Sequence, residues 1–397
     1  MFITALTLTL AASWAPAQAS NQGAYILQVD HLHTGNGPVL SPGKVLVRDG
    51  VIAEVGDAVS AKDVPILELH GHLSAGMIAL GDTTILGQEG ADATRFVLPE
   101  AESRFGFDPH TPALRRLCEQ GITTVVLTPP SDALVAGRGL VAKTGSGRML
   151  AKGQAMHVAF DAGMFEDTPD PTPGGMSGGG FFQFFGPNGS VTPNGYKSSY
   201  PGAARLLEDA VQTKGSQMSQ LVGGGIRAWL RSDSRAETSR ALAFAMRHKV
   251  QGTIEAGARV GELATQIQAS GLGVALTVFR ETNPIHATRS AVELAKAGVP
   301  FGFCLEARDR NAATLRLSAA LCRRAGLSAS NAWKALTFGA AQAVGLDGEI
   351  GTIAPGKDAD FVLWDGDPNE LTSRIERVWV DGKQVVQNTQ TSQGGKQ

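Results

Sequence analysis

From residue 24 to residue 70, apolar and polar positions alternate between turns rich in Gly, Pro and Asp, the period-two pattern of strands with one buried face. Asp49-Gly50 is the strongest hairpin signal in this stretch. The same alternation returns over residues 356–364 and over 378–386, the latter broken at Asp381-Gly382. Neither end alone is large enough to bury an apolar face, so the two are expected to form one β-domain. Between them the pattern changes to strands and helices in turn. Thr111 and Pro112 are suited to open a helix whose Leu114, Leu117 and Cys118 form an apolar stripe, and Gly121 ends it before a strand at 122–127. Strands are expected at 250–255, 272–279 and 299–305. Helices are expected around Leu263 and Ile267, at 287–297, and from Asn311 to Gly326. Repeated units of this kind predict a parallel sheet, and a closed barrel is its economical form.

The expected fold is therefore α/β: a (β/α)8 TIM-like barrel over residues 73–345, plus a small β-sandwich domain built from both chain ends, 20–72 with 346–388. Residues 389–397 are polar and read as a disordered tail. Residues 173–202 interrupt the periodicity with glycine, proline and serine around Phe181, Phe182, Phe184 and Phe185, a long loop with aromatic anchors.

Composition narrows the choices further. The chain is 43% hydrophobic and 18% charged, which excludes disorder as the general state. Lys plus Arg number 35 and Asp plus Glu 37, so no global field draws the chain to nucleic acid or anionic membrane. Residues 1–19 form an apolar run ending in Ala17-Gln18-Ala19, a secretory signal pattern that implies cleavage before Ser20 and an exported, periplasmic or extracellular protein. The run is too short to span a bilayer. Cys118, Cys304 and Cys322 lie inside apolar periodic segments and read as core residues rather than disulfides.

Residues 327–364 (LSASNAWKALTFGAAQAVGLDGEIGTIAPGKDADFVLW) carry a specific motif: Gly351, Pro355, Gly356, Lys357, Ala359 and Asp360 in a GxIxPGKxAD hairpin, preceded by a helix with Trp333, Leu336, Ala340 and Val344 on one stripe. This segment resembles the C-terminal signature of the imidazolonepropionase-like group of the amidohydrolase superfamily. Val47, Arg48, Asp49, Gly50 and Ile52 look like that group's opening β segment, and residues 121–129 (GITTVVLTP) resemble its second or third barrel strand. On the residues themselves, Lys357 and Asp360 beside Pro-Gly read as a tight, solvated turn.

The resemblance implies a divalent metal held at strand ends, beginning with an Asp-x-His-x-His run after the first strand. With Gly76 and Ile78 fixing the register, Ala79 stands at the aspartate position and Gly81 and Thr83 at the two histidine positions. The fifth-strand histidine falls at Glu255, before Ala256. The sixth should fall near residues 277–279, where there is none. The last-strand aspartate falls where residues 301–305 run into Glu306 and Asp309. Glycine offers no ligand and a threonine hydroxyl is a poor one. No metal is therefore expected. The weak catalytic candidates are Asp82, Glu255, Glu306 and Asp309, with ion pairs to Arg259, Arg308 and Arg310 as the plainer role for the last three.

Two other patterns carry less. His31-Leu32-His33 and His70-Gly71-His72 have the spacing that places two imidazoles on one face of a strand, but they lie far from the first barrel strand's end. Gly175-Met176-Ser177-Gly178-Gly179 matches a nucleophile elbow without the strand and helix that mechanism needs. The sequence thus predicts a non-catalytic amidohydrolase homologue, a pseudoenzyme acting as a binding module or as a partner subunit, in a homo-oligomer or beside an active amidohydrolase paralogue. The second reading is a hydrolase of non-peptide carbon-nitrogen bonds, in cyclic amides or dipeptide-like substrates, with an atypical site for zinc or another divalent metal.

Overall fold

A computed structural model describes residues 23–87, 90, 95–130, 133–161, 199–257, 259–280, 282–283, 285–305 and 313–388. The apolar leader and Ser20, the Phe-rich segment through residue 198, the Gly175–Gly179 motif, Glu306, Arg308, Asp309, Arg310, Asn311 and the tail lie outside the described residues.

The chain begins with β1 (Tyr25–His33), β2 (Val39–Leu40), β3 (Gly43–Arg48), β4 (Val51–Gly56) and β5 (Ile66–Ala75). It ends with β15 (Phe361–Trp364), β16 (Ile375–Val380) and β17 (Lys383–Gln387). These strands hydrogen-bond as one eight-stranded sheet in the order β17-β16-β15-β5-β1-β3-β4, with β2 on β1. The expected sandwich is thus one continuous ladder that curls on itself. Ile52 N donates to Lys357 O at 2.8 Å and Ala359 N to Gly50 O at 2.8 Å, so the β4 edge is covered by the segment leading into β15. Leu27, Val45, Leu73, Phe361 and Trp379 fill the space enclosed.

The middle of the chain supplies β6 (Met77–Asp82), α1 (Pro112–Glu119), β7 (Ile122–Leu127), β8 (Val135–Arg138), β9 (Leu140–Lys143) and β10 (Ala155–Ala159). From there helix and strand alternate: α2 (Tyr200–Gln212), β11 (Arg227–Ser232), α3 (Arg235–His248), β12 (Gly252–Ala256), α4 (Ala264–Ser270), β13 (Gly273–Leu276), α5 (Ile285–Lys296) and β14 (Phe301–Phe303). The helices α6 (Ala313–Arg324), α7 (Ala329–Leu336) and α8 (Phe338–Val344) follow. Local chemistry explains the boundaries. Ser234 and Glu237 form a reciprocal capping box that starts α3, and Gly271 in the left-handed region ends α4.

Strands β10 to β14 are parallel neighbours, and β6 pairs in parallel with β7. The all-parallel expectation fails at one place. Residues 135–143 form β8 and β9 in nearly one run, and β8 is antiparallel to β10 while β9 is antiparallel to β7. At the other side Leu80 of β6 bridges Cys304 beyond β14, with Leu305 N donating to Leu80 O at 3.0 Å.

Two further expectations change. The stripe from Trp333 to Val344 belongs to two helices, because Thr337 leaves helical geometry (φ −133°, ψ −98°) and its hydroxyl donates to Trp333 O. The break lets Gly339 pack against the end of β14, where a Cβ would sit 2.9 Å from Phe301 O. Asp360 is not solvated. It is 6% exposed and accepts from the fully buried ammonium of Lys143, the last residue of β9, which also meets Asp358 at 2.8 Å. Arg148 spans Asp358 (2.8 Å) and Asp381 (2.6 Å) beside them. The two carboxylates hold Lys143 above the ordinary ammonium range despite its burial.

Breaking one member of a buried ion pair costs about 3–5 kcal/mol, since the partner charge is left without compensation. Lys143→Met should therefore lower the melting temperature by several degrees, and more than Arg148→Met at the half-exposed end of the network. Thermal melts of both variants test the ranking, and equal melting temperatures would remove Lys143 from its place as the link between the sheets.

Candidate functional site

The C-terminal ends of the parallel strands enclose a polar cavity of about 90 Å³ lined by Thr83, Thr128, His157, Arg231 and Glu255, with Pro129, Ala133, Ala136, Val158 and Ala159. This is where a barrel of this kind places its chemistry. Counting strands from β6, with residues 135–143 as one position, His157 stands on the fourth, Arg231 on the fifth and Glu255 on the sixth. Glu255 was expected on the fifth. The run at 135–143, antiparallel to both neighbours and invisible to helix-strand periodicity, accounts for the difference.

Of the four candidates, Asp82 and Glu255 have a definite place, while Glu306 and Asp309 lie outside the described residues. Asp82 ends β6 and is 4% exposed, but its carboxylate folds onto its own turn, accepting from Thr84 N (2.8 Å), Ile85 N (2.9 Å) and the Thr84 hydroxyl (3.0 Å). It caps a turn, leaving little capacity for acid-base work. Glu255 accepts from the Trp229 indole N–H at 2.6 Å. Burial, the largest influence, pushes its carboxyl above the usual range. The expected ion pair with Arg259 does not form. Arg259 donates to Glu262 instead, three residues along the same short turn.

Gly81 explains why no imidazole stands at the end of β6. Its backbone is left-handed (φ +62°), and a Cβ there would lie 3.0 Å from Cys304 Sγ and 3.1 Å from Trp229 Cζ2. The indole of Trp229, 1% exposed, fills the space beside the first strand into which a ligand at position 81 would project. Thr83 lines the cavity with a hydroxyl only. Among the described residues no three His, Cys, Asp or Glu side chains converge on a point where a cation could sit. The described residues of the cavity do not fit the divalent metal that the fold family implies.

Two cavity residues, His157 and Arg231, and the Trp229 indole packed beside them were not singled out from sequence. His157 stacks on Trp229 (ring centroids 5.7 Å, 26°), and burial, helped by Arg231, drives its pKa down to about 3. Arg231 donates to Asp161 at 2.5 Å, fixing the guanidinium at the rim. The signal for His157 was present, since it is the one polar residue in the apolar run Ala155–Ala159. Trp229 and Arg231 gave no such signal, because alternating residues on an amphipathic strand look alike whether they face a site or a helix.

The histidine pairs set aside as remote do come together, though away from this cavity. Parallel pairing of β1 with β5 puts His31 opposite His72. His33 Nε2 and His72 Nδ1 share a hydrogen bond at 2.9 Å, and the His31 ring lies 4.4 Å from that of His72. His70 is turned to Asp30, 3.5 Å away. Burial first, then the neighbouring imidazoles, keep His33 and His72 below the usual histidine range.

A histidine with a depressed folded pKa is stabilising above its unfolded value of about 6.5, and that stability is lost as pH falls toward the folded value. For His157 the window runs from about 6.5 toward 3, so the folded protein should lose about 2 kcal/mol between pH 6.5 and pH 5 from this residue alone. His157→Phe should flatten the urea-unfolding free energy against pH by that amount while the other histidines contribute equally to both proteins. An unchanged pH slope would show that His157 is not held neutral.

Comparison with known proteins gives a consistent assignment. Residues 234–385 match the pattern of the amidohydrolase family. An imidazolonepropionase of Rhizorhabdus wittichii is 30% identical over 192 residues, 45% of this chain and 43% of that protein, and one of Sphingopyxis alaskensis is 51% identical over 51 residues, 13% of each chain. The aligned stretches thus span less than half the length of these relatives. An amidohydrolase of Thermotoga maritima has the same fold, with a TM-score of 0.74 at 22% identity over 92% of this chain and all of that one. A prolidase solved with N-methylphosphonate-L-proline aligns with a TM-score of 0.59 at 18% identity, over 92% of this chain and 100% of its own. The likeness is that of a TIM-barrel protein with an added domain. Together with the PGKxAD hairpin ending in buried Asp360, the matches show that residues 234–385 are similar to the amidohydrolase family and that the fold is that of a solved amidohydrolase.

Proposed function

We propose that this protein is an exported amidohydrolase homologue that binds through its barrel mouth and does not hydrolyse, serving as a binding module or as the partner of an active paralogue. We also infer that the two middle sheets make one closed eight-position barrel, joined through the Leu80–Cys304 bridge and residues 135–143. The composite sheet, from residues 20–72 and 346–388, is its second domain.

The observation that carries the reading is the Trp229 indole standing beside Gly81 and donating to Glu255. Hydrolysis in a metal-dependent site needs a bound water whose pKa the cation lowers, and a carboxylate to take its proton. Here the carboxylate of Glu255 is spent on an indole N–H, Asp82 is committed to its turn, and His157 is held neutral. Groups already engaged by protein donors in this way are pre-positioned to orient a polar ligand. The second reading, hydrolysis of a non-peptide carbon-nitrogen bond, draws on the imidazolonepropionase relatives, and it would need ligands other than Gly81 and Thr83.

A ligand that binds only the folded state at 100 times its dissociation constant adds about 2.7 kcal/mol of stability. Zinc, manganese and chelator should therefore leave the melting curve nearly unchanged, with well under one metal per chain by elemental analysis and no turnover of cyclic amides or dipeptides. Stoichiometric metal that disappears in Glu255→Ala would establish the hydrolase instead. Export has a separate test: intact mass of secreted material should correspond to a chain beginning at Ser20, and a protein retaining Met1 in the cytosol contradicts it.

A further inference from the structure

A second cavity, of about 310 Å³, lies between the end of β10 and the helices α2 and α3. It is separate from the barrel mouth, with Ala159 in the wall of both. Its volume stands at the lower end of small-molecule sites, about 300 Å³. The floor is apolar: Leu134, Phe160, Leu207 and Phe244 are each under 10% exposed. Phe160 and Phe244 pack ring to ring at 5.6 Å, giving it a rigid surface.

The rim is charged, and unevenly. Arg247 donates to Glu208 at 2.6 Å, and His248 also meets Glu208, at 3.1 Å. Arg240 lies over the ring of Tyr200, 3.9 Å from its centroid, and the Tyr200 hydroxyl donates to Glu237. Glu237 in turn accepts the backbone N–H groups of Asp233 and Ser234 at the start of α3. Among the described residues lining the cleft, Glu208 is the one carboxylate, against the guanidinium groups of Arg240 and Arg247. Arg240 brings positive charge to the opening, held by the ring and hydroxyl of Tyr200, and no carboxylate among the described lining residues is paired with it.

An apolar floor under a cationic rim fits one kind of ligand: an apolar chain that ends in an anion. We propose that this cleft binds a medium-chain carboxylic acid, with the chain on Phe160 and Phe244 and the carboxylate at Arg240. The proposal is independent of the reading of the barrel mouth.

Titration calorimetry of the full chain with octanoate, hexanoate and octanol tests it. Octanoate should bind at one site per chain. Each methylene removed should weaken binding about fourfold, so hexanoate should be more than tenfold weaker. Octanol, which lacks the charge, should be weaker than octanoate by about tenfold. Arg240→Gln should bring octanoate down to the octanol level, Arg240→Lys should retain most of the affinity, and Ala243→Trp, placed to fill the cleft, should abolish binding while the melting curve is kept. Equal affinity for octanol and octanoate overturns the proposal, as does octanoate binding that survives Ala243→Trp. So does binding that appears only after Phe181, Phe182, Phe184 and Phe185 are replaced by Ser, because the protein's own chain would then be the occupant.

Discussion

The ammonium of Lys143 is fully buried, and its position sets how the two halves of the molecule meet. It ends β9, in the middle of the chain, and its carboxylate partners Asp358 and Asp360 come from the C-terminal hairpin that enters the other sheet. Removing an ammonium from water costs several kcal/mol, so such a group is tolerated only where opposite charge and hydrogen bonds converge on it. Asp360 also accepts from Asp381 N at 2.9 Å, which ties the β16–β17 turn to the same point. The direct path between the sheets is equally tight. Gly76 alone separates β5 from β6, and a Cβ there would lie 2.1 Å from the Thr123 hydroxyl, so the first strand can pass against β7 only with glycine at that position. Once the ion cluster and this crossing are fixed, the register of β15 on β5 leaves the sheets little freedom.

At the barrel mouth, packing and protein hydrogen bonds hold the side chains in place. A small left-handed residue at position 81, the Cys304 thiol and the Trp229 indole pack where coordinating groups would have to be. The polar groups that remain are held by protein partners: Asp82 by backbone N–H groups, Glu255 by an indole N–H, Arg231 by Asp161. Pre-positioned donors and acceptors around a small cavity suit recognition, and the family fold does not by itself supply chemistry. The β10 strand serves two cavities at once, presenting His157 to the mouth and leading into Phe160 at the floor of the outer cleft.

The sequence by itself determined what depends on local periodicity and steric preference: the hairpins at Asp49-Gly50 and Asp381-Gly382, the helix opening at Thr111-Pro112, the alternation from β12 onward, and the absence of histidine at Gly81 and Thr83. Period-two and period-3.6 patterns record which face of an element is buried, and they survive without knowledge of the partner. Other features were decided only in the tertiary structure. An apolar run at residues 135–143 does not reveal that its neighbours run the other way. Asp360 looked solvated because its partner, Lys143, lies 217 residues away in sequence. His31, His33 and His72 read as separate pairs until the parallel register of β1 on β5 stacked them. Trp229 carried no mark of its place, since a tryptophan on an amphipathic strand can fill an ordinary core as readily as the wall of a site. In each case the deciding quantity is which distant side chain stands opposite, and that is set by strand register and barrel order, which no local pattern encodes.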